Sequence, residues 1–130
     1  MTTKITGDNL ASVSVTSGNL AADVYSTDRS WTGSQRSTMV IDNDGSFDMN
    51  AGQNFKCTFS ANYALTFTNP VDGQSGFILF INTNGSTVSL AATTKADANL
   101  ATTLTTAGTY VVSYISDGTN TYLTNSAVMA

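Results

Sequence analysis

The chain of 130 residues contains no histidine and no glutamate, so its nine acidic residues are all aspartates. Proton transfer near neutral pH relies mainly on histidine, with carboxylates, lysine, tyrosine and cysteine as the alternatives. The absence of both His and Glu leaves few groups that could act as a general acid or base. We therefore expect a protein that is not an enzyme, with no catalytic residues and no cofactor.

Cysteine and metal-binding patterns are equally sparse. Cys57 is the single cysteine, so one chain can form neither a disulfide framework nor a cysteine-based zinc site. Its position between Phe55 and Phe59 predicts packing in the core, because no histidine is present to activate the thiol. The aspartates of residues 42–48 lack the glycine spacing and the closing glutamate of a calcium-binding EF-hand, which predicts a solvated turn and no metal.

Positive charge is scarce, with five lysines and arginines and a net charge of −4. A surface that binds phosphates needs clustered basic residues, so we expect no nucleic-acid partner. No apolar stretch is long enough to cross a bilayer, and the N-terminus lacks the apolar region of a signal peptide. These observations predict synthesis in a cytoplasm, with no export signal and no membrane partner.

Threonine, serine, asparagine and glycine dominate instead, interrupted by short apolar runs. From Phe55 to Phe67 every odd position is apolar, and this alternation predicts two strands with one buried face and a bend at residues 60–62. The predicted core residues are Phe55, Phe59, Leu65 and Phe67.

Three dipeptides that favour tight turns lie between short apolar runs, and each predicts a β-hairpin. They are Asp44-Gly45, Asn84-Gly85 and Asp117-Gly118. No repeat of fixed period is visible, so we do not expect a solenoid. The sequence predicts an all-β single domain built as an antiparallel, jelly-roll-like β-sandwich.

Residues 76–81 and 110–115 are apolar at both odd and even positions. One face of each strand can fill the core, whereas the other needs a cover, because soluble monomers rarely expose large apolar patches. We favour a subunit interface over a cover from the same chain, and the sequence leaves open which face forms it. The candidate interface residues in these strands are Phe77, Phe80, Tyr110 and Tyr114.

The first 36 residues lack this dense apolar pattern. We interpret residues 1–36 as strands, a loop or an arm for contact between subunits, and residues 37–130 as the β-sandwich core. Arg29, Trp31 and Arg36 are the candidate contact residues, because Trp and Arg are enriched at interface hot spots. For Trp31 the alternative is that it packs its own loop onto the sheet.

The second part of the chain resembles small structural proteins and fibre modules of tailed bacteriophages. The resemblance covers about residues 47–126 and rests mainly on the motif Asn-Pro-x-Asp-Gly-Gln-Ser-Gly at residues 69–76, which an apolar strand follows. Residues 47–58, 107–110 and 116–119 add to it. Residues 1–46 lie outside the resemblance.

This resemblance implies a self-assembling, non-catalytic virion protein that forms a homotrimer. A chain this short, with Met1 and no stalk, suits a capsid decoration (cement) protein that binds the major capsid protein and stabilises the phage head. The alternative is a tail-fibre or spike module that binds a host-surface glycan. A glycan-cleaving tailspike is disfavoured, because most glycosidases use a pair of carboxylates in distinct environments and the chain has no Glu.

Overall fold

The computed structural model describes Ser34 and residues 36–129, and all the described elements belong to the compact unit Arg36–Ala130. This part of the chain is all-β, as the sequence predicts, with one short helix. The elements in chain order are β1 (Met39–Ile41), β2 (Ser46–Asp48), β3 (Asn54–Thr58), β4 (Tyr63–Thr68), β5 (Asp72–Asn82), β6 (Val88–Leu90), β7 (Thr94–Lys95), α1 (Leu100–Thr105), β8 (Gly108–Asp117) and β9 (Thr121–Asn125).

The strands form a six-stranded sheet in the order β1-β3-β5-β8-β9-β7 and a three-stranded sheet in the order β2-β4-β6. Strands β1, β3 and β5 are parallel to one another, and so are β2, β4 and β6. Among the named strands, only the β5–β8 and β8–β9 pairs are antiparallel. The six-stranded sheet is therefore mixed and the three-stranded sheet is parallel, and the expectation of a purely antiparallel architecture is wrong.

The chain alternates between the two sheets, because β1, β3 and β5 each lead into a strand of the smaller sheet. Each such pair of strands lies beside the next pair along the chain, so the winding is solenoid-like rather than that of a jelly roll. The register explains why no repeat is visible in the sequence: Met39 aligns with Asn54, and Asn54 with Phe77, so successive turns have unequal lengths.

Of the three predicted hairpins, the structure contains one. Ser116 pairs with Thr121 across the Asp117-Gly118 turn, which confirms the β8–β9 hairpin. The hairpins predicted at residues 44–45 and 84–85 are wrong, because the strands on either side lie in different sheets. Both glycines have the positive φ that such turns need, but their turns carry the chain from one sheet to the other.

The core lies between the two sheets. The predicted core residues Phe55, Phe59, Leu65 and Phe67 are all buried, which confirms the alternation. The rings of Phe55, Phe59 and Phe67 meet aromatic side chains of other strands, with a centroid separation of 4.6 Å between Phe59 and Phe80. The helix α1 adds two buried leucines to the same core.

Candidate functional site

The side of the six-stranded sheet that points away from the core carries exposed apolar residues. In β5, Ile78 and Phe80 have no exposed surface, whereas Phe77 is 57% exposed. Leu79 and Ile81 share the outward side with Phe77 and are partly exposed. The alternation of β5 therefore assigns one of its two apolar faces to the core and leaves the other uncovered by the described residues.

Neighbouring strands extend this apolar surface, because paired residues of adjacent strands point to the same side of a sheet. Ile41 of β1 is 70% exposed and Ile115 of β8 is 53% exposed. We call this surface the outer face. Its apolar residues are Met39, Ile41, Phe77, Leu79, Ile81, Val111, Ile115 and Tyr122.

The middle of the outer face is nearly free of charge. Among the described residues that face outward between the level of Phe77 and the level of Ile81, Lys56 is the one charged residue. It lies in register between Ile41 and Leu79. Asp117, which accepts a hydrogen bond from the Tyr122 hydroxyl, lies beyond this middle part.

Three of the four strand residues predicted for the interface lie in the core of their own chain. Phe80, Tyr110 and Tyr114 are at most 4% exposed. The Tyr110 hydroxyl donates to the Thr106 carbonyl at 2.9 Å, and burial raises the pKa of Tyr114 to about 12. The interface prediction needs correction for these three residues, because they occupy strand positions that point towards the core. The sequence did not determine which of the two faces of each strand points inward. Phe77 occupies a position that points outward.

The other predicted contact residues lie near the N-terminus. Arg36 is exposed, whereas Arg29 and Trp31 lie outside the described residues. A role for the three in subunit contact stays a prediction.

A groove of about 380 Å³ lies at one end of the outer face. Its lining residues are Gln53, Asn54, Ser75, Gly76, Phe77, Ser113 and Tyr114. The Tyr114 hydroxyl donates to the Gln53 carbonyl at 2.8 Å, and the Phe77 amide donates to Asn54 Oδ1 at 3.3 Å. A side chain at Gly76 would overlap the Gln53 carbonyl, so the close approach of β5 to this backbone needs glycine.

The aspartates of residues 42–48 cap turns. Asp44 accepts a hydrogen bond from the Ser46 amide at 2.8 Å, and Asp48 accepts one from Asn69 Nδ2 at 2.9 Å. The bond from Asn69 lowers the pKa of Asp48, whereas burial raises the pKa of Asp42. In the part of the chain that the structure describes, no three side chains of the metal-binding types come together.

Cys57 is fully buried, which confirms its interpretation as a core residue. Burial raises the pKa of its thiol to about 12. Since the thiolate is the reactive form of cysteine, this environment keeps the side chain inert.

Sequence reasoning missed the groove and the contributions of Met39, Ile41 and Tyr122 to the outer face. The alternation of Met39 and Ile41 around Val40 was a signal, but a three-residue strand is too short for a reliable period. The sequence could not predict that Asn54 and Ser113 lie beside Phe77, because this depends on which strands pair. They lie on either side of it in adjacent strands.

Comparison with protein-family models, curated proteins and solved structures finds no significant match to this chain. Across residues 36–129, no helix is long and apolar enough to span a membrane.

Proposed function

We propose that this chain is a non-catalytic structural protein of a bacteriophage virion, which assembles with copies of itself and decorates the capsid. The observation that carries self-assembly is the outer face, where Ile41, Phe77 and Ile115 are each more than half exposed. The resemblance of residues 47–126 to phage structural proteins supports the virion setting.

A second copy of the same chain is the partner that we propose for the outer face. Large exposed apolar patches on soluble proteins commonly mark interaction sites, and most soluble oligomers are closed symmetric assemblies of one chain. In a homotrimer, the three outer faces meet around a common axis and remove the apolar residues from water. The scarcity of charge beside Lys56 supports this contact, because few ionic groups lose their hydration.

For the fold of this module we propose a short β-solenoid closed by the β8–β9 hairpin, in place of a jelly-roll sandwich. The parallel pairing of β1, β3 and β5 and of β2, β4 and β6 supports it. The same winding favours the alternative function, a tail-fibre or spike module, because stacked turns build elongated structures.

The second partner in the proposal is the major capsid protein, which the N-terminal residues 1–36 contact through Arg29, Trp31 and Arg36. Many copies on a capsid lattice offset a weak contact of each single copy by multivalency. The chain is made in the host cytoplasm and is located in the virion.

Self-assembly is tested with the full chain carrying Ile41→Lys and Ile115→Lys. Both residues are exposed, so the variant should fold, which circular dichroism checks. We expect sedimentation to give a trimer for the unaltered chain and a monomer for the variant. Ala64→Lys is the matched control, because Ala64 is exposed on the smaller sheet. A wild-type monomer at micromolar concentration contradicts the proposal.

The location is tested by electron microscopy of intact particles of the phage that encodes the chain, labelled with gold-conjugated antibodies against it. Gold on the heads supports capsid decoration. Gold on tails alone favours the fibre or spike alternative, and particles without gold, when the same antibody labels the purified chain, overturn the virion role.

A further inference from the structure

The groove at the end of the outer face is built by the backbone of β5. Gly76 lines it beside Gln53 and Tyr114, and the β5 backbone approaches the Gln53 carbonyl so closely there that a side chain would overlap it. The ring of Phe77, which is 57% exposed, forms its wall. A volume of about 380 Å³ lies within the range of about 300–1,000 Å³ that is usual for small-molecule sites.

Polar groups flank the exposed ring on both sides. Asn54, Phe77 and Ser113 are directly paired across β3, β5 and β8, so they form one row on the same side of the sheet. Adjacent strands lie about 4.8 Å apart, so a single ring resting on Phe77 can reach both neighbours. The amide of Asn54 accepts from the Phe77 N–H and keeps its own Nδ2 donors for a ligand.

The chemistry of the lining selects among ligands. All seven lining residues are uncharged, so an ionic ligand would lose hydration there without gaining a counter-charge. A purely apolar ligand would bury the amide of Asn54 and the hydroxyls of Ser75 and Ser113 without hydrogen bonds, which is unfavourable. The lining suits a neutral ligand that combines an apolar C–H face with many hydroxyls.

We propose that this groove binds a neutral saccharide of one or two rings. The C–H face of one sugar ring packs on Phe77, and its hydroxyls form hydrogen bonds with Asn54 and Ser113. All seven lining residues belong to one chain, so the groove is complete without a second copy. Because Phe77 also lies on the outer face, the sugar and the proposed subunit contact compete for it, and the sugar binds the unassembled chain.

The experiment is an NMR titration of the ¹⁵N-labelled full chain carrying Ile41→Lys, in which the outer-face contact is disturbed and Phe77 is free to bind. The neutral probes are maltose, lactose and N,N′-diacetylchitobiose, and N-acetylneuraminic acid is the charged comparison. We expect at least one neutral probe to shift the amide signals of Ser75, Phe77 and Ser113, with a Kd on the order of 1 mM. The proposal is overturned if no neutral probe shifts these signals at about 50 mM, well above such a Kd, or if the charged sugar alone does.

Two substitutions test the roles of the ring and of the hydroxyl. Phe77→Leu keeps an apolar side chain but removes the ring, and Ser113→Ala removes one hydroxyl. Each should weaken binding by about tenfold. Thr124→Ala is the control, because Thr124 pairs with Ser113 on the same side of the sheet but lies outside the groove. Unchanged affinity in Phe77→Leu contradicts the proposal.

The same preparations separate this inference from self-assembly. We expect Ser113→Ala to lose affinity for the sugar and to sediment like the unaltered chain. Ile41→Lys should disturb assembly and still bind the sugar, since Ile41 does not line the groove. Loss of sugar binding in Ile41→Lys would contradict a groove that is complete within one chain.

Discussion

The side-chain amide of Asn82 donates a 2.9 Å hydrogen bond to the main-chain carbonyl of Leu104, which joins the end of β5 to α1. The same nitrogen donates to the Ser86 carbonyl at 2.8 Å, and Asn82 Oδ1 accepts from the Ser86 amide at 2.8 Å. Asn82 has no exposed surface. A buried polar side chain with its hydrogen bonds satisfied fixes one local arrangement of the elements around it.

We expect Asn82→Ala to lower the free energy of unfolding by about 2–4 kcal/mol, because it leaves buried carbonyls of Ser86 and Leu104 without this donor. Urea unfolding followed by tryptophan fluorescence or circular dichroism measures the change. Thr83→Ala, at the next and exposed position, is the control and should change stability by less than about 0.5 kcal/mol. Equal effects of the two substitutions would show that the Asn82 bonds do not stabilise the fold.

The carboxylate of Asp117 organises the β8–β9 turn. It accepts hydrogen bonds from the amides of Asn120 at 2.6 Å and Thr119 at 2.9 Å, and from the Tyr122 hydroxyl at 2.9 Å. These bonds lower the pKa of Asp117 to about 2, with the Asn120 amide as the largest contribution. The hydrogen bond between Tyr122 and Asp117 raises the pKa of the Tyr122 hydroxyl.

A pKa that is depressed in the folded chain stabilises the fold above the unfolded-state pKa of about 3.9, and this stability is lost as the pH falls towards 2. We expect Asp117→Asn to melt at a lower temperature than the unaltered chain at pH 7, and the difference to shrink between about pH 4 and pH 2. A ¹³C titration of the carboxyl group measures the pKa directly. Tyr122→Phe should raise it, and a midpoint near 3.9 in the unaltered chain contradicts the prediction.

The sequence predicts which side chains share a face of a strand better than it predicts which strands pair. From Phe55 to Phe67, local alternation alone separates inward from outward residues, and the structure agrees except at Ala61, which is exposed in the bend. However, β3 pairs with β1 and β5 and not with β4, because the chain bends into the other sheet at residues 60–62. That choice depends on the packing of the two sheets, which no local pattern records.

The turn at Asn84-Gly85 also shows that a local sequence pattern does not determine which strands pair. The Asn-Gly dipeptide indicates a backbone with positive φ, and Gly85 has a φ of 65°. Whether the chain then pairs with the preceding strand depends on hydrogen bonds, and here Asn82 holds the turn against α1 instead. The sequence could not predict the groove either, because Asn54, Phe77 and Ser113 become neighbours only through the register of three strands.

The buried thiol of Cys57 gives a prediction about reactivity. With a pKa of about 12, about one molecule in ten thousand carries the thiolate at pH 8. We expect no reaction of the folded chain with 5,5′-dithiobis(2-nitrobenzoic acid), and one thiol per chain to react in urea. Ser60→Cys adds an exposed thiol as an internal control, and similar reaction rates of the two thiols in the folded state contradict the prediction.

Gly76 is expected to tolerate no side chain. Its φ lies outside the left-handed region, so the restriction comes from space: a Cβ atom would overlap the Gln53 carbonyl and lie 2.7 Å from the Tyr114 hydroxyl. We expect Gly76→Ala to lower the free energy of unfolding by about 1–3 kcal/mol, the usual effect of overpacking.

Tyr114→Phe is the matched control for Gly76→Ala, because it removes the hydrogen bond to Gln53 without adding an atom. It should lower the free energy of unfolding by about 0.5–1.5 kcal/mol, and urea midpoints of the two variants compare them directly. A larger effect of Gly76→Ala means that the fold needs the close approach of β5 to the Gln53 backbone. If Gly76→Ala destabilises the chain no more than Tyr114→Phe does, the backbone at Gln53 can move aside, and the fold does not require glycine at this position.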